Sequence, residues 1–155
     1  MKTVPLDQLD NYVGTETGRS DWLQIDQDRI NEFADATNDH QWIHVDESAA
    51  AQGPFGSTIA HGFLTLSLLS YLTLSSMVVP EGAVMFVNYG SDKVRYLAPV
   101  TVGSNIRSVS TLKAVREKSP GRYLLTSSVV VEIEGSETPA LVADLLTLVI
   151  MAPAS

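Results

Sequence analysis

The sequence contains no cysteine. A disulfide framework, a thiolate metal centre and a cysteine nucleophile are all excluded. The composition suits a reducing compartment, and a cytoplasmic location is expected. The stretch from Met1 to Gly14 lacks the apolar core of a signal peptide. Positive charge is also scarce. Ten Lys and Arg face eighteen Asp and Glu, for a net charge of −8, which argues against nucleic acid as a partner. Charge of either sign is missing altogether from the middle of the chain. Between Glu47 and Glu81 only His61 can carry one, in a protein with 18% charged residues.

What fills that gap is GSTIAHGFLTLSLLSYLTLSSMVVP, Gly56 to Pro80. Leu64, Leu68, Tyr71 and Leu72 recur at helical spacing, with Phe63, Leu66, Leu69 and Leu74 on the flanks. The pattern predicts a helix from about His61 to Met77, apolar nearly all round and therefore buried. A membrane span would need roughly 17–25 apolar residues. Thr65, Ser67, Ser70, Thr73, Ser75 and Ser76 dilute the stretch, and no Lys or Arg flanks it to set an orientation, so no span is expected. With 155 residues the chain reads as one domain, 1–155, large enough to bury well over half of its unfolded surface.

Ahead of the central helix, Leu6–Tyr12 reads as a short helix with Thr3 as cap and Pro5 in its first turn. Trp22–Ile25 reads as a short strand. Asp26 caps a helix running to about Ala36, and Asp46 caps another over Glu47–Ala51. Behind the central helix the period changes to two. Val84–Tyr96, with a break at Gly90, Ile106–Arg116, Arg122–Glu134 and Leu141–Met151 read as strands. In the third, Val129, Val131 and Ile133 form a buried face and Val130, Glu132 and Glu134 a wetter one. The last is nearly all apolar and should be central. Helices followed by antiparallel strands make an α+β fold, with a sheet curled around one long helix.

The chemistry concentrates near the start of that helix. In Asp39-His40-Gln41-Trp42-Ile43-His44 a carboxylate and an imidazole lie five residues apart, in a segment that must leave one helix and double back. Such a pair can share acid and base work and polarise one water; its plainer reading is a helix cap beside a surface histidine. His40 and His44, flanked by Asp39 and Asp46, would suggest metal ligands if the segment were helical. Asn38 and Asp39 favour a turn, no clear third ligand is present, and no metal or other cofactor is expected. Gly62 opens the helix, where free N–H groups and a positive dipole end can hold a developing oxyanion. Ser67 and Ser70 either bond back to their own helix or line a pocket. Charge is also uneven along the chain. Residues 1–92 hold three basic and thirteen acidic residues, whereas residues 93–155 hold seven basic, all within Lys93–Arg122, and five acidic. A basic window in an acidic protein suits a small anionic ligand, or simply solvated strand faces.

Three elements then stand in order. They are Phe33-Ala34 through Asp39, Ile43-His44-Val45-Asp46, and Ile59-Ala60-His61-Gly62-Phe63-Leu64 with Ser67 and Ser70. Together they resemble the MaoC-like (R)-specific enoyl-CoA hydratases and dehydratases of fatty acid metabolism. Asn88-Tyr89-Gly90 and Lys93-Val94-Arg95 resemble the NodN-like branch. The resemblance implies a hotdog fold, an antiparallel sheet wrapped around the central helix. It also implies a homodimer or dimer of dimers, with the site near the subunit interface and an acyl-CoA thioester as substrate. Asp39 and His44 would be the catalytic pair. The Gly62 amide would bind the thioester carbonyl, His61 would fix the loop, Ser70 would support the site, and Lys93 and Arg95 would meet the phosphates of coenzyme A. Asn38 and Gln41-Trp42 depart from the family's usual Gly and Asn-Pro, which bears on chain-length preference more than on the reaction. The alternatives are a hotdog thioesterase and a non-catalytic acyl-binding subunit.

Overall fold

The computed structural model describes residues 1–153. The chain runs β1 (Lys2–Val4), a 3-10 helix (Leu6–Tyr12), β2 (Glu16–Arg19), β3 (Leu23–Gln24), α1 (Gln27–Thr37), α2 (Trp42–Val45), α3 (Glu47–Ala51), α4 (Gly62–Ser67), α5 (Leu69–Leu72), β4 (Val78–Pro80), β5 (Ala83–Tyr96), β6 (Asn105–Ser119), β7 (Arg122–Ile133) and β8 (Leu141–Met151). A six-stranded sheet has the order β2-β6-β7-β8-β5, with β3 also on β6. All of its pairings are antiparallel. This is the expected hotdog arrangement, and β8 is flanked on both sides as its apolar run requires.

The helix packs on one face of the sheet. Leu64, Leu69 and Leu72 join Ile106, Val129, Val131, Leu141 and Ala143 in the main core. A second cluster of Val4, Leu9, Val78, Leu112, Leu125 and Val149 closes the other end. Asp26 caps α1 by accepting from the Arg29 N–H at 2.9 Å, and Asp46 caps α3 by accepting from the Ala49 N–H at 2.9 Å. Both caps agree with the sequence.

The central helix differs from expectation in length and in burial. It covers Gly62–Leu72 through a shared residue, Leu68, whose N–H donates to the Leu64 carbonyl at 2.9 Å. It stops short of Met77 because its last carbonyls find partners outside it. The Ser108 hydroxyl on β6 donates to the Leu72 carbonyl at 3.1 Å, and the Ser76 hydroxyl donates to the Thr73 carbonyl at 3.0 Å and contacts the Ser110 hydroxyl at 3.0 Å. These contacts satisfy groups that a helix end leaves open. Val78–Pro80 then leaves as β4 to pair in parallel with β1, so Thr3 is a strand residue rather than a cap. Nor is the helix buried all round: Phe63 is 70% exposed and Tyr71 64%. The neighbouring strand β5 is also open. Among the described residues it pairs only with β8, and Val84, Met85, Phe86 and Val87 are exposed along it.

Candidate active site

The sequence from Phe33 to Gly62 folds so that three distant side chains meet. At the end of α1, Asn38 takes the left-handed conformation (φ 58°), and the Asp39 N–H donates to the Ala34 carbonyl at 3.1 Å. Asparagine tolerates that conformation better than most residues. The chain reverses there and presents the Asp39 carboxylate, which remains 55% exposed. The single turn α2 then points His44 inward, 6% exposed. Ile59 holds it. The Ile59 N–H donates to the Ile43 carbonyl at 3.0 Å, and the Ile59 carbonyl lies 2.6 Å from His44 Nδ1. A carbonyl can only accept, so Nδ1 carries the proton and Nε2 keeps its lone pair.

His61 completes the cluster. It is 3% exposed, and its ring stacks on His44 with centroids 3.7 Å apart and planes 24° apart, while Phe33 covers it from 5.1 Å. Its Nε2 donates to the Asp39 backbone carbonyl at 2.9 Å and lies 4.0 Å from Oδ2 of the same residue. One ligand-competent atom from each of Asp39, His44 and His61 lies within 4.8 Å of the others. That spacing suits one water donating to two acceptors. The two imidazoles are stacked 24° from parallel, and each has one nitrogen committed to a carbonyl.

Burial pushes the His44 pKa below the usual imidazole value, and the stacked His61 adds to the shift. The Ile59 carbonyl and the Asp39 charge oppose it without reversing it. His44 is therefore a neutral imidazole at neutral pH, the form that can accept a proton.

Gly62 follows directly, as the first residue of α4, with His61 as the helix cap. The Tyr96 ring presses on its α-carbon. A Cβ at position 62 would sit 3.0 Å from Tyr96 Cε1 and 3.1 Å from Cδ1, so the glycine answers a close approach.

Asp39, His44, His61 and Gly62 thus come together. Ser70 does not join them. It lies two turns along the helix, on the wall of a cavity of about 470 Å³. Lys93 and Arg95 do not join them either. Arg95 pairs across from Val142, next to the inward Leu141 and Ala143, and therefore stands on the sheet face turned away from the helix. The Arg95 guanidinium donates to the Val94 carbonyl at 2.7 Å. Lys93, in a bulge at φ 53°, lies 3.5 Å from the buried carboxylate of Asp144, which Lys113 also holds at 2.9 Å. His40 bonds Asp35 at 2.8 Å on the surface, so the His40–His44 spacing has no role at the site.

Two residues with structural claims on the site escaped the sequence reading. Gln27 donates to the His44 carbonyl at 2.8 Å and accepts from the Thr58 hydroxyl at 2.5 Å; nothing in its local sequence signals this. Tyr96 could have been suspected only as the partner that makes Gly62 necessary.

Comparison with known proteins identifies the family. A family model described as a MaoC like domain matches residues 8–132. The chain is 52% identical over 131 residues to 3-hydroxyacyl-thioester dehydratase Z of Mycobacterium tuberculosis, covering 84% of this chain and 86% of that protein. It is 44% identical over 150 residues to nodulation protein N of Rhizobium leguminosarum bv. viciae, covering 96% and 93%. The solved (R)-hydratase from A. caviae involved in PHA biosynthesis superposes with a TM-score of 0.69 at 24% identity, covering 87% of this chain and 94% of that one. The chain belongs to the MaoC-like dehydratase family, in its NodN-like branch.

Proposed function

We propose that this protein, a hydro-lyase by family, reversibly hydrates a trans-2-enoyl-CoA to the (R)-3-hydroxyacyl-CoA. The observation that supports it most directly is the meeting of the Asp39 carboxylate and the neutral His44 beside the first amide of α4. In the hydration direction one water donates to both Asp39 and His44 Nε2. Its oxygen bonds to C3 as an O–H bond breaks toward the pair. The π electrons move to the thioester oxygen as an enolate, which the Gly62 N–H stabilises. The same pair returns a proton to C2, and no atom is left over. His61 acts on His44 and Asp39 by position rather than by proton transfer.

The working unit is a homodimer. Phe63, Tyr71 and Leu74 on the helix flank and Val84, Met85, Phe86 and Val87 along β5 are left in water, and a long uncovered edge strand is otherwise an aggregation liability. Arg95 serves the phosphates of coenzyme A at the sheet margin, with Lys93 as a lesser contributor because it leans toward the Asp144 carboxylate, 3.5 Å away. The setting is cytoplasmic fatty acid metabolism; among the described residues no helix is long and apolar enough to cross a membrane.

The test is loss of the conjugated enoyl-thioester absorbance on mixing enzyme with crotonyl-CoA, with a thiol-reactive dye present. Loss of the band without free thiol is the expected result. Release of free thiol would instead mean a thioesterase.

A further inference from the structure

The cavity of about 470 Å³ lies between the helix and the inner face of β5 and β8. Leu66 and Ser70, on its wall, stand one and two turns beyond Gly62 on the same side of the helix. At 1.5 Å per residue, Ser70 is roughly 12 Å along the axis from the Gly62 amide. Gly62 itself lines a separate hollow of about 250 Å³ with Ala60, Thr65 and Tyr96, and the helix axis leads from it to this larger space.

The walls combine two chemistries. Leu66, Leu69, Leu74, Met77, Phe86 and Leu145 are apolar, whereas Ser70, Asn88, Ser91 and Thr147 are polar. The hydroxyls of Ser67 and Thr73 are already committed, at 2.7 Å each, to the carbonyls of Phe63 and Leu69. Among the described residues the other four make no side-chain hydrogen bond. Asn88 and Thr147 face each other directly across β5 and β8, and Ser91 faces Leu145.

A bulge arranges this band. The β5–β8 register shifts between Asn88 and Gly90. Without the shift, strict alternation from Asn88 would bring Asp92 to the inner face. With it, Ser91 turns inward and Asp92 pairs opposite Asp144 on the outer face. The cavity consequently carries a polar band within an apolar lining, and no charged side chain. An alkyl chain entering it would strip water from four groups and offer them no bond in return.

We propose, building on the hydratase reading above, that this cavity is the acyl pocket and selects a chain bearing an uncharged hydrogen-bonding group, a hydroxyl, ketone or amide, over a plain hydrocarbon. A carboxylate tail is disfavoured because no cation lines the cavity.

The test compares octenoyl-CoA with ω-hydroxyoctenoyl-CoA as substrates, using wild type, Thr147→Val and Asn88→Leu. Calorimetric binding of the two saturated CoA esters is measured alongside. Wild type should favour the hydroxylated substrate by about tenfold in kcat/KM, well below the discrimination of a sealed polar site because this cavity opens to water. The same ester should bind more tightly. Thr147→Val, which keeps the shape of the side chain, should erase most of the preference, and Asn88→Leu should reverse it. Equal treatment of the two esters by wild type, or a preference that neither substitution changes, overturns the proposal. If neither substrate turns over while the binding preference persists, the pocket assignment stands and the hydratase reading falls.

Discussion

Replacing Gly62 with alanine separates packing from chemistry at the centre of the site. The new Cβ would lie 3.0, 3.1 and 3.2 Å from Cε1, Cδ1 and Cζ of Tyr96, so the ring must yield by a few tenths of an ångström. Overpacking costs about 1–3 kcal/mol. Against this, alanine recovers up to about 1 kcal/mol of helix propensity over glycine. The Tyr96 ring is only half buried and edges onto the exposed Phe63 at 6.4 Å, so it can swing outward. The net loss should therefore be about 1 kcal/mol, a fall in Tm of about 2–4 °C for a chain this size. Activity should suffer far more. Alanine keeps the amide N–H, so the loss comes from crowding at the approach to that donor, and denying a carbonyl full access to an oxyanion donor costs up to about 10²–10³ in kcat. In a Tyr96→Ala background the same change should cost almost no stability, because the clashing ring is gone, while kcat stays low. Thermal melts and enoyl-CoA kinetics on the four proteins read both effects. If Gly62→Ala/Tyr96→Ala regained activity relative to Gly62→Ala as its stability cost vanished, the glycine would be serving packing alone, and the need for a bare α-carbon at the carbonyl's approach would be refuted.

Other consequences follow from the same geometry. Burial, reinforced by His61, lowers the His44 pKa, so the unfolded chain, with a pKa near 6.5, binds more protons through the interval below that value. The His44 contribution to stability is full above about pH 6.5 and shrinks as pH falls toward the folded-state value. The acid limb of kcat/KM should lie below the ordinary imidazole range, and His61→Phe should shift it upward while lowering kcat. An unmoved limb would mean that the stack does not tune His44. Phe63→Glu with Leu74→Glu should give a monomer by light scattering; a dimer that persists would place the subunit contact elsewhere. Arg95→Ala should raise KM for CoA esters severalfold with kcat unchanged and Lys93→Ala less so, whereas a kcat loss at constant KM would deny the phosphate role.

Local signals carried much of the architecture. Asp26 and Asp46 announced their helices because an N-cap acts within three residues, and the alternation of Val129, Val130 and Val131 showed which face of β7 is buried. The candidate pair Asp39 and His44 was legible for the same reason, since both lie in one short segment. What escaped was non-local. The four residues of β2 carry no periodicity, and β1 pairs with β4 across most of the N-terminal half of the chain. The central helix stops where Ser108 and Ser110, on a strand far along the sequence, meet its end. The stacking of His44 on His61 depends on Ile59 lacing two loops together. The helix flank is as apolar as the pattern said, but a single copy of the chain leaves Phe63, Tyr71 and Leu74 in water.

The most direct test of the account is the absorbance of crotonyl-CoA and a longer enoyl-CoA mixed with wild type and with Asp39→Asn. The account predicts loss of the conjugated band with wild type and no free thiol, and a rate reduced by orders of magnitude in a folded Asp39→Asn protein that retains the wild-type oligomeric state. Hydration that survives Asp39→Asn at near wild-type rate would contradict it.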